Sequence, residues 1–348
     1  MPPIGQDPWL LSEQRWTTRV GEGWVPKRVL GYGGYAIVGL WSYEGPDRQR
    51  ATPKDIVVKQ ALANPGLEIE AQFLQRFKDC RSEHIVKIYR GLSQEAGQGT
   101  EDYDPSNGAV HRIYLEYCPG GDLFDADKRR FTELDLWRIF HCLARGILVM
   151  HQGNEDPEGS RWDIPQICHF DIKPENIFIG KPIMKDDHDS TSPYKEQLHF
   201  PIQQLNMPEA DLRDYVRPWQ PEVDRPSRII NPRYGTASNI WQAGLIMLCL
   251  IREMRDVQWD ALQCYQSSAS IRLITGGLTV GTDEDQMEDE YGTSRYGNNL
   301  RILIAECLLI SPESRPSPKY VFYRTKFGIT AHRPAEPPSS PMREPSRR

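Results

Sequence analysis

The stretch CHFDIKPENIFIG, Cys168–Gly180, decides how this chain is read. It strings Asp171, Lys173 and Asn176 along one short loop, between the apolar flanks Ile167 and Ile177 to Ile179. Each polar residue suits one task of phosphoryl transfer. Asp171 can orient a hydroxyl and accept its proton, Lys173 can neutralise a transferred phosphate, and the amide oxygen of Asn176 can take a divalent cation. A polar surface turn would account for any one of these residues, but it does not demand this order.

Working outward, VLGYGGYAIVGLW (Val29–Trp41) is a Gly-rich hairpin in which Gly31 and Gly33 let the backbone turn tightly. DIVVKQ (Asp55–Gln60) reads as a buried strand with a single lysine, Lys59, and LEIEAQFLQRF (Leu67–Phe77) as a helix offering Glu68 and Glu70. Further on come RIYLEYCPGGDLF (Arg112–Phe124), YGTASNIWQAGLIMLCLI (Tyr234–Ile251) and SPESRPS (Ser311–Ser317). Taken in order, these segments resemble a diverged eukaryotic-type serine/threonine protein kinase domain from about Trp24 to Phe327. The position of Lys173, two after Asp171, resembles the serine/threonine class.

The resemblance implies an α+β, bilobal fold: a small β-rich N-lobe with one αC helix, and a larger, mainly helical C-lobe. The expected organisation is an N-terminal extension at 1–23, the N-lobe at 24–117, the C-lobe at 118–327 and a disordered, Pro/Ser/Arg-rich tail at 328–348. It also implies residue roles. Gly31, Gly33 and Gly34 would cover phosphates, with Ala36 where a third glycine is usual, and Val38 would cover adenine. Lys59 would grip the α and β phosphates with Glu70 as its partner, since the spacing from Glu70 to Leu74 fits the αC pattern better than Glu68 does. Leu115 would be the gatekeeper, Glu116 to Cys118 would face adenine, and Asp122 would bond the ribose. Asp171 and Lys173 would serve catalysis, and Asn176 would hold Mg2+. The apolar run after Tyr234 would be the αF helix at the centre of the C-lobe, and Arg315 would pair with Glu222.

Three departures bear on activity. Phe170 replaces the arginine that usually precedes the base, which implies that any activity does not depend on a phosphate clamped by that arginine. Asn239 stands where αF usually has an aspartate; it can accept one hydrogen bond without charge assistance, so the loop is expected to be held less firmly. No Asp-Phe-Gly triplet follows Asn176. Strict register points near Met207, and Asp211 in Ala-Asp-Leu-Arg is a degenerate substitute as a metal ligand. From Asp211 to Glu222 only eleven steps remain for an activation segment.

Composition agrees with one catalytic unit. A chain of 348 residues with 39% hydrophobic content can fill two lobes. A net charge of −6 argues against a nucleic-acid or membrane-surface binder. The seven cysteines follow no metal or disulfide repeat, and Cys142, Cys249 and Cys307 lie in apolar runs that favour buried, reduced thiols. The expected setting is therefore intracellular, cytoplasmic or nuclear, without membrane insertion. Polar loops are expected at Ser93–Val110, Gly153–Ile167 and Lys185–Gln197, and a solvated acidic cluster at Asp186, Asp187 and Asp189. Two functions stay open: an ATP- and Mg2+-dependent serine/threonine protein kinase with weak or absent turnover, acting on an unidentified protein, and a pseudokinase that binds nucleotide or scaffolds a partner. A small-molecule kinase on the same fold ranks third.

Overall fold

A computed structural model of the chain describes residues 20–32, 36–46, 53–62, 65–91, 110–126, 131–162, 166–169, 171–180, 194–196, 235–251, 296–309 and 312–333. Five strands form one antiparallel sheet: β1 (Trp24–Tyr32), β2 (Ile37–Tyr43), β3 (Asp55–Leu62), β4 (Ile88–Arg90) and β5 (Val110–Glu116), in the order β1-β2-β3-β5-β4. One helix, α1 (Pro65–Phe77), follows β3. The rest is mainly helical: α2 (Glu133–Gln152), α3 (Thr236–Ile251), α4 (Asn298–Cys307) and α5 (Pro318–His332), with a short hairpin of β6 (Ile177–Ile179) and β7 (Tyr194–Glu196).

Side-chain alternation gives the sheet two working faces. Val57, Ala61, Ile113 and Leu115 join the core shared with α1, whose Leu67, Ala71, Leu74 and Phe77 recur at helical spacing and are all buried. On the other face Trp41, Ile56, Val58 and Tyr114 make a second apolar cluster, and Val20 packs into it from just before β1. The register sets Lys59 opposite Val38 on one side and Ile113 on the other, so the lysine lies on the α1 face.

The helical half is organised by α3, which is buried at every position except Ala237. That burial makes it a core element, and among the described residues no helix is long and apolar enough to cross a membrane. α2 starts in a full capping box, Thr132 with Asp135, and stops at Gly153, whose φ of 87° returns its N–H to the Val149 carbonyl. α5 opens on Ser317, whose hydroxyl accepts from the Tyr320 N–H, with Pro318 in the first turn. It packs closely on α2, where the Trp137 ring occupies the space a side chain at Gly328 would need. The six cysteines among the described residues, including Cys142, Cys249 and Cys307, are free, and those three are buried.

Candidate active site

The first half of the site comes from β3 and α1. The Lys59 ammonium donates to Glu70 Oε2 at 2.7 Å, with the two side chains only 10% and 4% exposed. Glu68, two residues earlier, is only partly buried, so helical phase selects Glu70 as the inward carboxylate. Burial pushes the Glu70 carboxyl up, and the charge and hydrogen bond of Lys59 pull it back only in part. The second oxygen, Oε1, is buried without a hydrogen-bond partner among the described residues. A buried ion pair with an unmet carboxylate oxygen contributes little net stability.

The second half is the loop that follows α2. Asp171 Oδ2 receives the Asn176 amide at 2.9 Å and stands 3.4 Å from the Lys173 ammonium. The same amide nitrogen also donates to the Asp171 carbonyl at 2.7 Å. With its nitrogen committed to Asp171, Asn176 has its carbonyl oxygen as the end able to meet a cation. Asn176 is buried, whereas the Asp171 and Lys173 side chains are partly exposed.

The loop is fixed from α3. Asn239 Oδ1 accepts the His169 N–H at 2.9 Å, and its Nδ2 donates to the Ile167 carbonyl at 2.8 Å. The amide therefore works in both directions, where one accepted bond was expected. One turn on, Gln242 Oε1 accepts the Ile172 N–H at 3.1 Å. Sequence reasoning missed Gln242; the available signal was a second amide three residues after Asn239 in an otherwise apolar helix. A further clasp, also missed, joins Thr236 to Gln166 Oε1 at 2.8 Å and to His151 Nδ1 at 2.8 Å.

The segment after β5 is sewn to the loop's exit. Gly120 N–H donates to the Ile179 carbonyl at 3.0 Å, Ile179 N–H to the Gly121 carbonyl at 2.8 Å, and Leu123 N–H to Ile177 at 2.8 Å. This sets Asp122 beside Phe178 in an isolated bridge, with its Oδ1 accepting the Asp125 N–H at 2.9 Å. Leu115 is fully buried at the end of β5, Glu116 and Cys118 follow it, and the Glu116 N–H is taken by the Lys87 carbonyl at 2.9 Å. A Cβ at Gly31 would meet nothing within 4 Å, so packing does not require glycine there and the space beside it is open. Ala36 and Val38 pack, partly buried, against the main core.

Arg315 is buried and donates to the Leu309 carbonyl at 2.7 Å and the Ala237 carbonyl at 2.9 Å, pinning the start of α3. Its expected partner Glu222 lies outside the described residues, as do Gly33, Gly34, Phe170, Met207 and Asp211. Residues 1–19 of the extension expected at 1–23, the acidic cluster and residues 334–348 lie outside them too, while α5 runs to His332 and so takes in the start of the tail expected at 328–348. Among the described residues no three His, Cys, Asp or Glu side chains are grouped to hold a metal.

The chain matches the protein kinase domain family over residues 24–325. It is 28% identical over 225 residues to the G2-specific protein kinase nimA of Emericella nidulans, a match covering 59% of this chain and 28% of the relative. It is 24% identical over 266 residues to the mitogen-activated protein kinase kinase mkk1 of Cytospora mali, covering 75% and 44%. With the probable serine/threonine-protein kinase HSL1 of Saccharomyces cerevisiae it shares 24% identity over 206 residues, covering 58% and 11%. The chain thus spans less than half the length of each of these curated relatives. A sheet and helix holding Lys59 against Glu70, a helical half holding Asp171, Lys173 and Asn176, and a match across both make this chain a member of the protein kinase domain family.

Proposed function

We propose that the chain transfers the γ-phosphate of ATP to a serine or threonine hydroxyl of a protein. The observation that carries this reading is the Asp171 carboxylate, held by Asn176 at 2.9 Å and by Lys173 at 3.4 Å on a loop clamped to α3. In this reading the hydroxyl proton passes to Asp171, the hydroxyl oxygen bonds to the γ-phosphorus, and the bond to the departing ADP oxygen breaks. Lys59, oriented by Glu70, holds the α and β phosphates. Lys173 offsets charge on the group in flight. Gly31, Gly33, Gly34, Ala36 and Val38 cover the nucleotide, with Glu116, Cys118 and Asp122 on its base and ribose. Bound Mg2+ would neutralise the phosphate oxygens, held by Asn176 and by Asp211. The lobes are assigned to 24–117 and 118–327, and the free, buried thiols suit an intracellular, reducing setting.

A second reading, a pseudokinase that binds nucleotide or scaffolds a partner, is favoured by the missing Asp-Phe-Gly triplet and the eleven steps from Asp211 to Glu222. One experiment separates the two. Thermal midpoints are measured against ATP with and without Mg2+, alongside phosphate transfer to a mixed protein substrate, for wild type, Lys59→Ala and Asp171→Asn. The kinase reading expects an ATP shift that grows with Mg2+, is lost in Lys59→Ala, and persists in Asp171→Asn while transfer falls by about a thousandfold or more. A shift without transfer in wild type establishes the pseudokinase, and equal loss of binding in both variants overturns the role assignments.

A further inference from the structure

Between α2 and the Asp171 loop the chain makes an excursion, and the described part of it, residues 153–162, is a built structure. Gln152 donates to Asn154 Oδ1 at 3.2 Å and to the Asp156 carbonyl. Asn154 Oδ1 also accepts the Asp156 N–H at 3.1 Å, and Asn154 Nδ2 donates to the Ser160 carbonyl at 2.9 Å. Trp162 N–H closes it on the Gln152 carbonyl at 3.0 Å, and Ile167 N–H then rejoins the Met150 carbonyl at 3.0 Å. From this platform Glu155 reaches the segment Ser82–His84 that follows α1 and its 3-10 turn. Its Oε1 accepts the Ser82 hydroxyl at 2.5 Å, the Glu83 N–H at 2.8 Å and the His84 N–H at 3.3 Å, and lies 2.9 Å from His84 Nδ1. Its Oε2 is ion-paired with Arg145 Nε of α2 at 2.8 Å. Beside it the Trp162 ring lies against Phe77, the last residue of α1, with centroids 5.6 Å apart.

We propose that this excursion is a brace that sets the position of α1, with Glu155 as its positioning residue, so that Glu70 stays in reach of Lys59. The inference rests on the reading of Lys59 and Glu70 as phosphate-binding residues. The physical case is one of connectivity. α1 carries Glu70 at its middle and is followed by the 3-10 turn Lys78–Cys80, with Arg81 in the left-handed region at φ 48°. A helix is rigid over its 13 residues, so fixing the turn at its end fixes where its inward carboxylate points. The same excursion leads back into the Asp171 loop, so one segment ties both halves of the site. Burial alone would raise the Glu155 carboxyl. The hydrogen bond and charge of His84, the charge of Arg145 and the Ser82 hydroxyl outweigh it and hold that carboxyl well below the usual range.

The test uses the full chain with Glu155→Ala and Glu155→Gln, read by amide hydrogen exchange and by affinities for ATP and adenosine. Exchange in 65–86 should rise about tenfold in Glu155→Ala relative to that in 236–251, and less in Glu155→Gln, which keeps an acceptor for Ser82 and Glu83. The ATP dissociation constant should rise about tenfold with that for adenosine unchanged, because the pair acts on phosphates; a merely structural role would move both together. Exchange that rises equally in both regions, or an ATP affinity that stays at the wild-type level, overturns the brace. If wild type binds no ATP, the phosphate-binding reading fails, and the exchange pattern alone still decides whether α1 is braced.

Discussion

Replacing Asn239 by aspartate puts back the carboxylate that this family usually carries, and it should destabilise this chain in a pH-dependent way. The side chain is fully buried, accepts from His169 N–H at 2.9 Å and donates to the Ile167 carbonyl at 2.8 Å. A carboxylate keeps the first bond and inverts the second, so that two oxygens face each other away from water. The cheapest escape is for the new carboxyl to keep a proton and donate it to Ile167. An aspartyl carboxyl has an ordinary value of about 3.9, and holding its proton costs about 1.4 kcal/mol per pH unit above that. The deficit relative to wild type is then up to about 4 kcal/mol at pH 7 and about 1.5 kcal/mol at pH 5. The sign follows from a folded-state value raised above the unfolded one: the deficit vanishes below about pH 3.9 and grows as pH rises through the window. Urea unfolding of wild type and Asn239→Asp at pH 5, 6 and 7 measures it. Asn239→Ala serves as the control, losing both bonds at a cost of about 2–4 kcal/mol that does not vary with pH. A deficit for Asn239→Asp equal at pH 5 and pH 7, or wild-type stability at pH 7, would refute the two-way amide clamp.

Two further outcomes follow from the packing. Lys59→Met leaves the Glu70 carboxyl, already pushed up by burial, without its ammonium. Its folded-state value then rises further above the ordinary 4.5, so the gap in thermal midpoint to wild type should widen from pH 5 to pH 8 and close largely in Lys59→Met with Glu70→Leu. Gly153→Ala forces a side chain onto a residue with φ 87° and sets its Cβ 2.6 Å from the Trp162 ring, which should cost about 1–3 kcal/mol in urea unfolding.

How far the site was legible depended on whether its partners are fixed by local order or by a return of the chain. Asp171, Lys173 and Asn176 sit within six residues, so their spacing alone brought them together. The preference for Glu70 over Glu68 was also readable, because helical phase puts one of the two inward, and the 2.7 Å contact with Lys59 agrees. The sheet and the apolar α3 were visible in β-branched runs and unbroken hydrophobicity, signals that need no knowledge of tertiary contacts. Asn239 was found as a departure but read with half its bonding, since a sequence position does not say which backbone groups an amide will meet. Glu155 was invisible for the same reason at longer range. It lies in a polar, Gly- and Pro-containing stretch that composition marks as loop, and its partners Ser82 and Glu83 are more than seventy positions away. Val20, placed in the extension, packs into the outer-face cluster through contacts of that distant kind.

Two carboxylates on and beside α1, Glu70 buried and Glu155 half-buried, are solvated by the protein in opposite ways. Glu155 gathers a hydroxyl, two backbone N–H groups, an imidazole and a guanidinium, and its carboxyl is held low despite burial. Glu70 has the Lys59 ammonium on one oxygen, an orphaned second oxygen, and a carboxyl pushed up. If both served only to stabilise the fold, burial without donors at Glu70 would be a defect, since an unmet buried oxygen costs about 1–3 kcal/mol. Under the proposed function the Lys59 ammonium also meets phosphate, and that use accounts for a partner carboxylate with few donors of its own. A glutamate surrounded by other donors would no longer depend on Lys59 to hold its charge, and the lysine would lose the partner that fixes its direction. Too strong a pair would bind the ammonium at the expense of phosphate. Under the proposed function the phosphates of a bound nucleotide would meet the Lys59 ammonium beside a carboxylate whose second oxygen has no donor among the described residues, whereas Glu155, with its five donors, holds the segment Ser82–His84 that follows α1.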